Sequence, residues 1–323
     1  MQPRTVRPEE FDPGKLPRNS RHAITIALGG SGELDLPVYV IRGANPGKTL
    51  LIIAGVHGDE YEGVRTILDL CAELDPATMS GDLIASPVVN PPAFWNGSRT
   101  SPLDEGNLAR LFPGKPDGSP TEVTAWWVDQ LLIARADLLV DLHSAGVKCL
   151  MPTLAGYYEA DPVAHQAALA FGAPVLWTHP TIAPGRSLSA ALARGVPSIY
   201  VEARGAGRIH PDDLRIYQRG CRTLLHHLGI LEGEFPPISP SVHLYGNGDI
   251  DQSASATARG FLMPSVELLD RVEADQQLGV VVDLHGNVLQ TLTAPCGGRV
   301  ALIHAFPVVH PGEPLFLISG EWQ

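Results

Sequence analysis

The first apolar pattern is a pair of β-type stretches, Ala23–Leu28 and Leu34–Ile41, on either side of the turn-rich Gly29-Gly-Ser-Gly-Glu33. This predicts a hairpin within an N-terminal β segment, residues 1–47. From Lys48 the texture changes. Thr49–Val56 is a continuous apolar run interrupted only at Gly55, the pattern of a strand buried on both faces. Val64, Ile67, Leu68, Cys71 and Leu74 then repeat at helical spacing. Further strands are predicted at Leu83–Val89, Leu138–Leu142 and Ser198–Val201. Helices are predicted around Val123, Trp126, Trp127, Leu131 and Ala134 (with Thr121 near the start), over Val163–Phe171, and over Ser187–Arg194, ended by Gly195. The clearest helix opens at Pro211-Asp-Asp213, carries the stripe Leu214, Tyr217, Cys221, Leu224 and Leu228, and stops at Gly229. Strand–helix alternation over residues 48–232 predicts an α/β unit, a mostly parallel or mixed sheet flanked by helices. The Pro-rich stretch Glu232–Ser241 reads as a linker, and the short Gly-punctuated β runs beyond it predict a small all-β domain at 241–323.

Composition narrows the function. The chain has 323 residues, 44% hydrophobic and 18% charged, enough to bury a full core without a disulfide or metal to hold it. Its net charge of −12 repels phosphate backbones and anionic lipid, which argues against nucleic-acid or membrane partners. The four cysteines are widely spaced with no C-x-x-C, so they suggest neither a disulfide framework nor a cysteine metal site. Residues 1–22 are polar and Pro-rich, and no apolar run approaches the ~20 residues of a membrane span. A cytoplasmic protein is expected. Oligomeric assembly is left open.

The common nucleotide and serine-hydrolase motifs are missing: there is no phosphate loop, no G-x-S-x-G elbow, and the glycines of GAGRIH and GNGDID fail the dinucleotide pattern. The chemistry concentrates instead at strand ends. His57 and Glu60 follow the first buried strand, and His143 ends another. Two imidazoles and one carboxylate make a three-ligand set that leaves a position open for water, the pattern of catalytic rather than structural zinc. Asp141, two residues before His143, is placed to orient its imidazole. Glu202, at the end of a third apolar strand, is the candidate general base, and Arg99 and Arg110 in the Gly/Pro-rich loop after Val89 are candidates to hold anions.

His57-Gly-Asp-Glu60, Asn90-Pro-Pro, Gly106-Asn-Leu-Ala-Arg110-Leu-Phe-Pro-Gly114, Asp141-Leu-His143 and Val201-Glu202 occur in the order found in the succinylglutamate desuccinylase/aspartoacylase family. The chain resembles that family, part of the zinc carboxypeptidase clan, over about residues 48–230, and most resembles the bacterial branch that includes deacetylases of N-acetylated diamino acids. The resemblance implies a carboxypeptidase-like fold and one Zn2+ per chain on His57, Glu60 and His143. It implies Glu202 as general base and then acid, and Arg99 polarising the scissile carbonyl. Arg110 would grip the substrate carboxylate, with Asn107 in the same loop as a further substrate contact. The implied reaction is hydrolysis of a small N-acylated substrate, an N-acyl amino acid or related N-acyl amine, to a carboxylate and a free amine.

Two positions depart from the family. Ala109 stands where an Asn also binds the carboxylate, and Arg204 interrupts a glycine run after Glu202. Arg204 is therefore expected to supply part of the missing anion contact, or else the substrate carries its negative charge elsewhere. The C-terminal module resembles the barrel-sandwich shape of lipoyl and biotin carriers, but no lysine follows Lys148, so it has no attachment site. His285, His304 and His310 in that module read as ordinary polar residues. Two alternatives are a metallocarboxypeptidase-type peptidase and a metal-bound binding protein altered in catalysis.

Overall fold

The computed structural model describes residues 2–233, 236 and 238–321, so the linker expected at 232–241 lies partly outside the described residues. The predicted hairpin is β2 (Ser20–Ile26) against β3 (Leu36–Arg42), with Ile26 opposite Leu36, and a short β1 (Arg4–Val6) runs parallel to β2. There follow β4 (Asn45–Ala54), α1 (Glu62–Glu73), β5 (Ser80–Ser86), α2 (Pro91–Asn96), α3 (Pro120–Leu131), β6 (Leu138–Leu142) and β7 (Cys149–Leu150). Then come β8 (Leu154–Tyr158), α4 (Pro162–Phe171), β9 (Val175–His179), α5 (Ser187–Ala193), β10 (Ser198–Glu202) and α6 (Pro211–His227).

β5, β4, β6 and β10 lie side by side and parallel, with Ala54 beside Leu142 and Leu142 beside Val201. Leu50–Ala54 are fully buried because helices cover both faces. On one side pack Ile67, Cys71, Phe171, Tyr217 and Leu224; on the other pack Val128, Leu131, Ala190 and Ala191. This is the mixed sheet flanked by helices that the alternation implied.

Two strands had no counterpart in the apolar pattern. β8 carries the small residues Ala155 and Gly156 after Leu154, and β9 ends in Thr178 and His179, so neither presents a long apolar run. β8 is antiparallel to β10 and reverses the direction of that half of the sheet. Helix faces also differ from the predicted stripes. α3 buries Thr121, Thr124, Ala125 and Val128, while Trp126 and Trp127 are only half-buried: small residues let the helix lie close, and indole rings at its flanks do not. In α1, Leu70 is buried and Leu68 is 42% exposed.

Beyond residue 241 the chain adds β11 (Val242–Tyr245), β12 (Ala254–Ser255), β13 (Gly260–Pro264), β14 (Arg271–Val272), β15 (Gln277–Val282), β16 (Val288–Thr293), β17 (Gly298–His304), β18 (Val308–Val309) and β19 (Pro314–Glu321). β16, β15, β13 and β18 form a separate antiparallel sheet with its own apolar core. The other strands join the main sheet: β11 is parallel to β9 and antiparallel to β19, and β7 pairs with β17. The C-terminal segment is thus hydrogen-bonded into the α/β unit, and one of its loops reaches the site.

Candidate active site

Adjacent parallel strands bring together residues that are far apart in sequence. The carboxyl ends of β4, β6 and β10 deliver His57 with Glu60, His143, and Glu202 to one sheet edge, where ligands of open α/β sheets bind. The turn after β4 runs against α2, where a Cβ at position 58 would come within 2.0 Å of the Ala93 carbonyl, so only glycine lets the chain pass.

Glu60 sits at the centre. Its Oε1 is 2.8 Å from His57 Nδ1 and its Oε2 is 2.9 Å from His143 Nδ1, and the ligand atoms of all three residues lie within 4.8 Å of one another. The outer ring nitrogens are also engaged: His57 Nε2 faces Asn107 Oδ1 at 3.2 Å, and His143 Nε2 faces Asp141 Oδ2 at 3.2 Å. With their protons on Nε2, facing these two acceptors, both rings direct an Nδ1 lone pair inward. Asp141 is itself held by Ser187 Oγ, and Tyr217 Oη donates to the His143 carbonyl. Such an inward-facing N, N, O donor set can hold a metal ion.

Burial and charge set the titration of these groups. Burial opposes ionisation of Glu60, but the two imidazoles outweigh it and hold its carboxyl well below the usual range. Burial, reinforced by the Arg99 guanidinium, pushes His57 down to about 4. Burial also opposes a charge on His143, yet Asp141 and then Glu60 overcome it and raise its pKa. Burial, together with the charge of Glu60, pushes Glu202 up to about 8, against the pull of His143 and Arg99. Glu202 lines the cavity beside the cluster, and its buried Oε2 has no hydrogen-bond partner among the described residues.

The arginines divide. Arg99 lines the cavity with Nη1 3.4 Å from His57 Nδ1 and 3.5 Å from Glu60 Oε1. Arg110 also lines it, paired with Asp251 Oδ2 at 3.0 Å. Two residues expected to bind substrate lie apart from the cavity lining. Asn107 does not line it; its Oδ1 faces His57 Nε2 and accepts from the Ala109 amide at 3.0 Å. Arg204 does not line the cavity either: its Nη2 lies 3.6 Å from Asp213 Oδ1 on α6, and its side chain is 47% exposed.

The sequence reading missed four titratable lining residues: Arg186, His179, Tyr200 and Asp249. Tyr200 is two residues before Glu202, on the same face of β10, a signal the sequence offered, whereas His179 ends β9, a strand the apolar pattern did not mark. Asp249 follows the linker, and nothing in its neighbourhood marked it. At position 109 the backbone takes part where the side chain does not, the Ala109 carbonyl accepting from Arg110 Nη1 at 3.2 Å and Arg186 Nη1 at 3.1 Å.

Residues 46–228 match the family model for the succinylglutamate desuccinylase/aspartoacylase catalytic domain. N-alpha-acetyl-L-2,4-diaminobutyric acid deacetylase from Halomonas elongata is 35% identical over 260 residues, covering 78% of this chain and 75% of that protein. The product-bound structure of the ectoine utilization protein EutE (DoeB) from Ruegeria pomeroyi superposes with a TM-score of 0.85 at 29% identity, over 95% of this chain and 98% of that one. A succinylglutamate desuccinylase from Silicibacter sp. TM1040 gives 0.84 at 28% identity, over 95% and 98%. With the donor cluster, the strand order and these matches in agreement, the chain belongs to the succinylglutamate desuccinylase/aspartoacylase family.

Proposed function

We propose that the protein is a zinc-dependent amidohydrolase that cleaves a small N-acyl amino acid to a carboxylate and a free amine. One observation carries the reading: an inward-facing His57, Glu60, His143 set stands beside a buried carboxylate, Glu202, that has no partner among the described residues. His57 Nδ1, Glu60 and His143 Nδ1 would hold one zinc ion, with Asn107 and Asp141 fixing the two rings. When bound, zinc supplies Lewis-acid polarisation and lowers the pKa of water. Glu202 takes a proton from the attacking water and returns it to the leaving amine, a role its place in the cavity beside the cluster allows. Arg99 stabilises the oxyanion that develops on the acyl carbon, and Arg110 with Arg186 holds the carboxylate of the amino-acid half. The names of the relatives, one a deacetylase of an N-acetyl diamino acid, support the same reaction type.

The test is amine release by zinc-loaded protein from N-acetyl and N-succinyl amino acids, acylated diamines without a carboxylate, and dipeptides, each with a chelator control. Zinc content is measured in parallel. About one zinc per chain, with chelator-sensitive hydrolysis of N-acyl amino acids, is expected. Undiminished zinc in His143→Ala, or no amine from any N-acyl amino acid, would refute the proposal.

A further inference from the structure

We infer that the outer face of the antiparallel sheet formed by β16, β15, β13 and β18 is a homodimer interface, on which a second copy of this chain packs its own sheet face.

An antiparallel sheet with one face on a core and the other in water alternates apolar and polar positions along each strand. This sheet does not. Its inner face supplies Leu262, Leu278, Val281, Leu292 and Val309 to the core of the C-terminal segment. Its outer face is apolar too. The register sets Val308, Phe261, Val282 and Val288 side by side in one row across all four strands, and Met263 beside Val280 in the next. None of the residues of the four strands is charged, in a chain of which 18% is. β16, the outermost strand, carries neither the lysine nor the proline that commonly guards an open edge.

The face is exposed as well as apolar. Phe261, Met263, Val308 and Val288 are between 42% and 59% exposed, and Leu284, at the tip of the β15–β16 hairpin, is 95% exposed. That tip is held in one shape. Asp283 Oδ1 accepts from the His285 and Asn287 amides, both at 2.8 Å, and its Oδ2 accepts from Asn287 Nδ2 at 2.8 Å. A fixed tip loses little freedom when it is covered. At these exposures the five side chains leave roughly 500 Å² of apolar surface in water, on the scale of ~150–250 Å² for a whole large side chain. A standard interface takes about 800 Å² from each partner, and homodimer interfaces are about 65% apolar, which asks for roughly 500 Å² of apolar surface per side. The patch has the size of one such interface, and it is contiguous where the surface apolar residues of a monomer are scattered singly.

Charge selects the occupant. The chain carries a net charge of −12, so two copies repel, and they meet closely where neither has a charge to strip of water. A partner recognised through charge would find nothing to pair with on these strands. A two-fold axis through the face, by contrast, sets the apolar row of one copy against the same row of the other, the self-complementary contact of a closed dimer. Twisted sheets stacked face to face interdigitate their side chains, which a surface of Val, Phe and Met allows.

The experiment measures the mass of the full chain by sedimentation velocity across a concentration series. Wild type is expected at twice the chain mass. Met263→Glu and Val308→Lys, both at exposed positions, should each raise the dimer dissociation constant by about 100-fold or more, because a charge is then buried without a partner. The decisive sample is an equimolar mixture of Met263→Glu and Met263→Lys. It should dimerise more tightly than either variant alone, a recovery that misfolded variants would not give. A wild type that stays monomeric at tens of micromolar leaves the face to another partner and overturns the inference. So does a dimer that both substitutions leave intact, or a mixture no tighter than its components.

Discussion

Replacing Asp141 by Asn tests whether the cluster is built to hold a metal. The substitution keeps shape and an acceptor oxygen for His143 Nε2, 3.2 Å away, but removes a negative charge from a residue only 2% exposed. Two unit charges at that separation attract by about 5 kcal/mol at an effective dielectric constant of ~20. An imidazole bound to a dication carries only a fraction of a unit charge. The loss should therefore be smaller, and groups that orient metal-bound histidines change affinity by about 10–100-fold, or roughly 1.4–2.7 kcal/mol. Asp141→Asn is expected to bind zinc weaker by that factor in a competition titration against a chromogenic chelator. Most of kcat/KM should return at saturating zinc. Zinc affinity within about 2-fold of wild type would refute the idea that Asp141 tunes a ligand. A total loss of activity that zinc cannot restore would show that Asp141 serves only to hold the fold.

Three further variants test the geometry. Glu202→Gln should lower kcat/KM by about 10²–10⁴-fold with zinc content unchanged, and a loss below about 10-fold would remove Glu202 as the proton carrier. The same variant makes a pH prediction for chelator-treated protein. The folded pKa of Glu202 is raised from about 4.5 to about 8, so its stabilising contribution is complete below about 4.5 and is lost as pH rises through about 8. Glu202→Gln should therefore have the higher Tm above pH 8, with the gap closing toward pH 5; a pH-independent gap would contradict the shift. Gly156→Ala places a Cβ 2.0 Å from Tyr200 Cε1 and should cost about 1–3 kcal/mol in denaturant unfolding, and a neutral result would show that the ring yields freely. Arg204→Ala should leave kcat/KM for the best substrate within about 3-fold and stability within about 1 kcal/mol, because its partner Asp213 lies outside the cavity; a 10-fold loss would restore Arg204 as an anion contact.

The sequence by itself determined which strand ends carry the clustered histidines and carboxylates. His57, Glu60, His143 and Glu202 were legible because each follows a mainly apolar run, and a run buried on both faces identifies a central strand whatever lies beside it. The parallel order of β4, β6 and β10 follows from the same alternation. Side-chain direction was not legible. Asn107 and Arg204 have the chemistry of substrate contacts, but one turns to His57 and the other to Asp213, and local spacing carries no information about partners 50 residues away or on another helix. Strand β8 was hidden because its Ala155-Gly-Tyr segment packs through Tyr200 rather than through apolar bulk of its own. The tertiary structure alone decided how Arg110 and Arg186 are paired. Asp249 meets Arg186 and Asp251 meets Arg110 only because β11 is added to the main sheet beside β9, and that pairing brings a loop from beyond the linker to the cavity.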